Sequence, residues 1–506
     1  MFKSVFSFGL VCVLIGSLAT VGYGGTEIRS EVIHGAASRR FTLEQAVETA
    51  LQRNPDIQRA RQEIERTKGI YIEMRSHILP RVDALGELTN TDPHLGAVGS
   101  GSGGGLSAVP TQYSIDIRAT QVIFAGGRIV SQIRSADFQR DSAYYGFRNA
   151  IDAVIASVRT QFYQVLLNRA LIGVQEQSIQ LLESQLRDQQ NRFEAGTVPR
   201  FNVLQASVAL ANQQPELITA RNAYRISQIQ LAKTIGLDFD PNRGDQAPID
   251  AVGELHYVPR DIPLTMAIQI AKEHRPFLHQ QKANVLSNSA QVGVARSGYF
   301  PQLSGTASEE FRSNPFSENI RDMRNGYVFG ATGSWAIWDW GETYGRVKQA
   351  KAVLQESKIT LDDAVRQIEL EVQQAYANMQ QGRELIRSQE QTVSQADEAL
   401  RLATARLQAG AGTQLEVLNA RVEVTRAQST SLQALYTYNA AVAEFDRATA
   451  TEATYSTELD EPGTRAKLKT EAAPTPPPKP TPLPLNGHRG QTVRTTTTTT
   501  TTSSGK

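Results

Sequence analysis

The chain has 506 residues and a formal net charge of +1, with 52 Lys and Arg against 51 Asp and Glu. That balance gives no electrostatic basis for holding nucleic acid, and a single cysteine excludes an internal disulfide framework. Length alone would suit roughly three or four globular domains, but the residue pattern describes one large unit written twice.

Residues 1–24 come first. Lys3 precedes an apolar run from Val5 to Val21, and Gly22, Gly24 and Gly25 follow. This is the layout of a secretory signal peptide. The run falls short of the ~20 apolar residues that span a bilayer and is interrupted by Ser7 and Ser17. Cys12 lies inside it, so the mature chain is expected to carry no cysteine and no lipid anchor.

The first unit covers 41–237. From Leu43 to Ile78 apolar residues fall at helical spacing, with Thr42 as N-cap and Gln45 as its capping-box partner. Pro80 ends that pattern. Strands are expected at about 81–124. Val82, Ala84, Gly86 and Leu88 alternate with Asp83, Glu87 and Thr89, and Tyr113, Ile115, Ile117 and Ala119 alternate with Ser114, Asp116, Arg118 and Thr120. Between them lies GSGSGGG at 99–105. No lysine follows to make a phosphate loop, so it reads as an external hairpin connection. A long helix is expected over 128–195, where the only glycines before the final turn are Gly146 and Gly173. At 1.5 Å per residue it would be ~100 Å long and would need helical neighbours along its length. A return helix over 198–235 contains Pro215, which should break or kink it.

The second unit, 263–455, repeats the first. Leu43, Ala46, Ala50 and Pro55 recur as Leu264, Ala267, Ala271 and Pro276, and Leu79–Pro80 recurs as Phe300–Pro301. FAGGR at Phe124 is matched by WDWGE at Trp338, RFEAG ending at Gly196 by RLQAG ending at Gly410, and NVLQA at Asn202 by EVLNA at Glu416. Strands are expected at about 302–338, a long helix at 342–409 and a return helix at 414–448. The remaining 456–506 holds PTPPPKPTPLP and eight successive threonines. Such a tail has too little apolar content to fold and is expected to be disordered.

Each strand is about ten residues, a bilayer-crossing length at ~45° tilt. Tyr113, Tyr327 and Trp335 sit near strand ends, where an aromatic girdle would lie. An amphipathic sheet on a soluble core is the other reading of the alternation. Four strands left open in lipid would strand two edges. The chain is therefore expected to share a barrel with copies of itself, a trimer giving twelve strands.

These residues carry a resemblance. From about Phe41 to Tyr455 the chain resembles the TolC-type outer-membrane efflux factors, most specifically in the Leu79–Pro80 break, the FAGGR and WDWGE turns and the paired R-x-x-A-G turns, each present twice in the same order. The resemblance implies a mainly α fold with transmembrane β. Four strands per chain would enter a homotrimeric 12-stranded β-barrel in outer-membrane lipid, continued by a long periplasmic α-helical barrel. It implies docking to a periplasmic adaptor (a membrane fusion protein) and an inner-membrane pump. The function implied is a passive exit duct for small molecules or proteins, in tripartite efflux or type I secretion, with no catalysis and no cofactor. A periplasmic adaptor or a structural coiled-coil envelope protein are the alternatives. His274 and His279 are five apart, off the spacing that puts two ligands on one helix face, so no metal site is expected.

The resemblance also singles out residues at the helical tips. Glu416 and Asn419 occupy the positions of the family's acidic aperture rings, which leaves one acidic ring where relatives carry two. Gly412 stands where the family has a latching arginine, and Asn202 where it has the acidic partner. Arg192, Gly196, Arg406 and Gly410 are the adaptor-docking candidates. Plain helix chemistry offers other roles: Glu416 at a helix N-terminus complements the macrodipole, and the glycines end helices in the left-handed conformation.

Overall fold

The computed structural model describes residues 39–90, 111–238, 249–313 and 319–451. The leader at 1–24, the glycine-rich loop at 99–105 and the tail at 456–506 lie outside them.

Duplication is visible in the helix lengths. The long helices α3 (Arg128–Glu194) and α7 (Glu342–Gln408) have 67 residues each, and the return helices α4 (Arg200–Ile235) and α8 (Gln414–Thr449) have 36 each. The long helices are thus ~100 Å and the return helices ~54 Å, covering the half nearest the turn. α4 packs along α3, and α8 along both α7 and α3. Pro215 lies inside α4 without ending it. The expected break does not form, because lateral packing on α3 outweighs the lost backbone bond.

The helix expected from Leu43 to Ile78 is two helices. α1 (Leu43–Arg53) opens with the Thr42–Gln45 capping box and stops at Asn54, and α2 (Pro55–Ser76) follows. Pro55 disfavours helical geometry in the residue before it. Asn54 turns this to use. Its Oδ1 accepts from the amides of Asp56 (2.7 Å) and Ile57 (3.3 Å), while Nδ2 donates to the Thr234 carbonyl (2.7 Å) at the end of α4. The same break separates α5 (Leu264–His274) from α6 (Pro276–Arg296), with Arg275 in place of Asn54.

Four strands, β2 (Arg81–Asn90), β3 (Thr111–Ala125), β5 (Gln302–Arg312) and β6 (Arg324–Ser334), form an antiparallel sheet in the order β2-β3-β5-β6. Register aligns the two faces across the whole sheet. Val82 pairs with Ala119, Ile115 with Phe311 and Ala307 with Phe329 on one face. Asp83 pairs with Arg118, Asp116 with Glu310 and Arg312 with Arg324 on the other. β6 ends at Ser334, short of 338. Asp339 instead accepts the amides of Gly341 (3.1 Å) and Thr343 (2.8 Å), capping α7. All three tryptophans, Trp335, Trp338 and Trp340, are exposed at this helix-side end of the sheet, 57%, 74% and 89% respectively. Tyr327 and Phe329 are exposed on β6.

A second, two-stranded parallel sheet was not legible in the sequence. β1 (Arg39–Phe41) pairs with β4 (Ile249–Ala251), joining the start of the first repeat to the segment that leaves it. This pair belongs to the first core, with Val47, Ile57, Val158, Phe162 and Leu231. The second repeat has its own cores, one around Ile368, Val372 and Phe445 and one around Met379 and Tyr438. Each fully buried Val, Ile or Phe contributes about 1.5–3 kcal/mol.

Candidate functional site

The two R-x-x-A-G turns are built identically. At the end of α3, Gly196 takes φ 74°. Its amide donates to the Phe193 carbonyl, and that of Thr197 donates to Arg192 (both 2.9 Å). At the end of α7, Gly410 takes φ 72°. Here Gly410 donates to Leu407 (3.1 Å) and Ala411 to Arg406 (2.9 Å). Both are Schellman motifs, in which glycine supplies the left-handed residue that closes the helix. Space is not the reason, since a Cβ on either glycine meets nothing within 4 Å. Arg192 pairs with Asp188 (3.0 Å), and the Arg406 side chain donates to the Ala411 carbonyl (3.3 Å).

Glu416 is the third residue of α8. Its amide donates to Thr413 Oγ1 and its carboxylate accepts the Thr413 hydroxyl, both at 3.3 Å. Glu416 and Asn419 are both exposed, while Gln414, Val417 and Leu418 are buried. The first two turns of α8 therefore present Glu416 and Asn419 on the face turned away from its packing partners. Asn202 lies in the first turn of α4, half-buried, its amide bonded to the Pro199 carbonyl (3.1 Å).

Sequence reasoning missed what joins the two tips. Gln185 and Gln189 of α3 and Gln414 of α8 are all at least nine-tenths buried. Gln189 Nε2 donates to Gln414 Oε1 at 3.4 Å. Among the described residues, Gln414 Nε2, Gln189 Oε1 and both polar atoms of Gln185 have no hydrogen-bond partner. Further from the tip, Arg421 donates to the Leu181 carbonyl (2.8 Å) and burial lowers its pKa. The seam between the hairpins is thus polar and incompletely satisfied. Glutamine-rich helices look solvated in a sequence, and only the spacing 182, 185, 189 hinted at a buried stripe.

Where the return helices end, the seam is ionic. Asp446 of α8 has a side chain only 3% exposed. It pairs with Arg159 of α3 (3.3 Å) and with Arg260 (3.1 Å), which lies between β4 and α5. Burial raises its pKa against the pull of both arginines. Beside it, Glu371 of α7 pairs with Arg275 and with Arg447 (3.2 Å). Burial would raise the Glu371 pKa, but bonds from Gln367 and Arg275 and the charges of Arg275 and Arg447 lower it on balance. Asp152 of α3 lines a small cavity with Asp446, Arg447 and Ala443. Burial pushes it up to about 6, opposed by Arg148, Arg275 and Arg447.

Among the described residues, no group of His, Cys, Asp or Glu is placed to hold a metal ion, and no helix is long and apolar enough to cross a membrane. What the arrangement offers is a two-faced sheet leading into two long helical hairpins joined by a polar seam.

Known proteins share this design. Residues 46–237 and 267–451, one stretch in each repeat, match the family described as outer membrane efflux protein. The solvent efflux pump outer membrane protein SrpC of Pseudomonas putida is 22% identical over 390 residues, 76% of this chain and 80% of that one. Nodulation protein T of Rhizobium leguminosarum bv. trifolii is 24% identical over 405 residues, 77% and 81% of the two chains. The Campylobacter jejuni CmeC outer membrane channel has the same fold, with a TM-score of 0.72 at 17% identity over 80% of this chain and 85% of that one. With both repeats matched in order, the chain belongs to the outer membrane efflux protein family.

Proposed function

We propose that this protein is the outer-membrane channel of a tripartite efflux or type I secretion system. It is a passive duct through which small molecules or proteins leave the cell. Three chains close one barrel, and the helices continue it into the periplasm. There the tips meet a periplasmic adaptor working with an inner-membrane pump. Solvent and toluene efflux pumps are named for relatives, which favours small apolar cargo among the options. No step of this function calls for a catalytic group or a cofactor.

The observation that carries the reading is the sheet. Apolar side chains on its face are exposed, and among the described residues its outer strands β2 and β6 each pair on one side only. Hydrocarbon does not tolerate such edges, and copies of the same sheet satisfy them by closing a barrel. A periplasmic adaptor or an envelope coiled coil has no need of such strands, and family membership favours neither. For the tip, we infer that Arg192, Gly196, Arg406 and Gly410 form the adaptor-facing rim and that Glu416 and Asn419 face the lumen. Asn202 stands beside them without charge.

Envelope fractionation on a sucrose gradient, followed by mass measurement of the detergent-extracted complex, tests the reading. A trimer in the outer-membrane fraction is expected; a soluble or monomeric protein would overturn it.

A further inference from the structure

The register of the sheet leaves one charged residue on its apolar face. Along the face that carries Val82, Ile115, Ile117, Ala307, Phe311 and Phe329, Glu309 is the only Asp, Glu, Lys or Arg among the described residues. Its neighbours are fixed: Ile117 on β3 and Tyr327 on β6 are its register partners. β5 is flanked on both sides by strands of its own chain. Copies that join at β2 and β6 therefore do not cover it. Glu309 remains on the outer surface however many chains close the barrel.

Its depth is also set. β5 runs from Gln302, beside the helices, to Arg312 at the far end. With a ~3.3 Å rise and ~45° tilt, each residue advances roughly 2.3 Å across the bilayer. Glu309 then lies about 7 Å from the far end of its strand, towards the side of the bilayer away from the helices. An ionisable side chain on a lipid-facing surface marks a functional site with a partner.

The surroundings specify that partner. Asn325 Nδ2 donates to Glu309 Oε1 at 3.3 Å. Tyr327 and Phe329 stand beside it, 75% and 76% exposed, with ring centroids 5.5 Å apart. A carboxylate next to exposed aromatic faces is the chemistry that receives an ammonium group, through an ion pair and cation–π contact together. An anionic headgroup would be repelled. We propose that Glu309, Asn325 and Tyr327 form a site for a lipid headgroup bearing an ammonium group, one per chain, near the end of β5 away from the helices, with phosphatidylethanolamine as its probe. The proposal rests on the membrane reading of the sheet.

Native mass spectrometry of the detergent-extracted complex, incubated with phosphatidylethanolamine or phosphatidylglycerol, tests it. Wild type is expected to retain phosphatidylethanolamine about tenfold better than phosphatidylglycerol, unchanged by EDTA. Glu309→Gln should abolish that preference. Tyr327→Leu should weaken it and Tyr327→Phe should keep it, which provides a second line should Glu309→Gln assemble poorly. Equal retention of both lipids, or a preference intact in Glu309→Gln, overturns the site. Phosphatidylglycerol held only until EDTA is added would show a metal-bridged phosphate and also overturn it. A complex that retains no lipid of either class would instead refute the membrane reading beneath it.

Discussion

Gly382 of α7 and Tyr438 of α8 touch backbone to backbone. A Cβ on Gly382 would lie 2.9 Å from the Tyr438 Cα and 3.2 Å from its amide nitrogen. Neither atom is a flexible side-chain end that could swing away. The closeness lets Tyr438, 1% exposed, donate to the Val258 carbonyl (2.8 Å) and accept the Arg260 amide (3.2 Å). One missing side chain thus ties the second hairpin to the segment that joins the repeats.

Gly382→Ala should therefore push α7 and α8 apart and destabilise the protein by about 1–3 kcal/mol, despite alanine's better helix propensity. Gly173→Ala is the control. Nothing lies within 4 Å of that position, so propensity alone should leave it unchanged or up to about 1 kcal/mol more stable. Thermal unfolding of the two variants in detergent should move in opposite directions.

Asp446 is the second tie. Asp446→Ala would remove the buried carboxylate that Arg159 and Arg260 share and leave a void in its place. Breaking a buried pair from one side costs about 3–5 kcal/mol. Asp446→Asn keeps the shape and should lose less. An unfolding midpoint for Asp446→Ala close to wild type would show that water reaches the cluster.

Much of this fold is written in periodicity. Alternation in Tyr113–Ala119 and Leu303–Ala307 marks strands, and the near absence of glycine and proline after Arg128 and Glu342 marks helices of equal length. Recurrence of Pro55 as Pro276 fixes the repeat register. Periodicity names a face but not its partner, and the losses follow from that. Asn54 was hidden because its two roles lie 180 residues apart in the chain. Pairing of Phe41 with Ala251 rests on three residues per strand, too few for a pattern. Glu309 interrupts the apolar face of β5, and only its register partners Ile117 and Tyr327 show what surrounds it. At the tip, the shape of the turns was legible from R-x-x-A-G. The seam of Gln185, Gln189 and Gln414 was not, since buried and solvated glutamines read alike.

Acid should tighten the junction at Asp152. Its folded pKa is raised to about 6, against ~3.9 for an unfolded aspartate. The folded state therefore takes up a proton first, and stability from this group grows as pH falls from above 6 towards 4. Its share is about 1 kcal/mol between pH 7 and pH 5. Glu371 has the opposite sign. Its pKa is lowered, so its contribution is lost only as pH falls through and below the ordinary carboxylate range. Asp446 is shifted the same way, so Asp152 is isolated by comparing unfolding midpoints of wild type and Asp152→Asn at pH 7 and pH 5. Asp152→Asn should be stabilised at pH 7 and lose this share of the pH dependence; an unchanged dependence would place the titration elsewhere.

The glutamine seam should respond to symmetric and one-sided changes differently. Gln189→Leu alone strands Gln414, which costs about 1–3 kcal/mol locally. Replacing both by leucine removes the unsatisfied atoms of this pair, leaving those of Gln185, and should be neutral or stabilising. Hydrogen exchange over 408–420 reads this directly. Exchange should speed up in the single variant and return to or below the wild-type rate in the double. Equal acceleration in both would mean that the packing, not the amides, holds the tip.

The aperture itself turns on Glu416. Its carboxylate accepts the Thr413 hydroxyl, yet the residue is exposed on the free face of α8. One cap bond leaves most of its charge available to solvent. If three chains bring this face to the axis, three carboxylates meet in a narrow ring. Such a ring concentrates cations and makes a pore cation-selective. Asn419, three residues on and about one turn away, is exposed on the same side. It adds amides without charge. Glu416→Gln should strongly reduce cation selectivity in planar-bilayer recordings of the assembled channel, and Asn419→Ala should leave it nearly unchanged. Glutamine keeps an acceptor for the Thr413 hydroxyl, so the cap survives and the loss reports charge alone. Unchanged selectivity in Glu416→Gln would mean that the carboxylate serves the helix N-terminus and that the face it shares with Asn419 does not line the lumen.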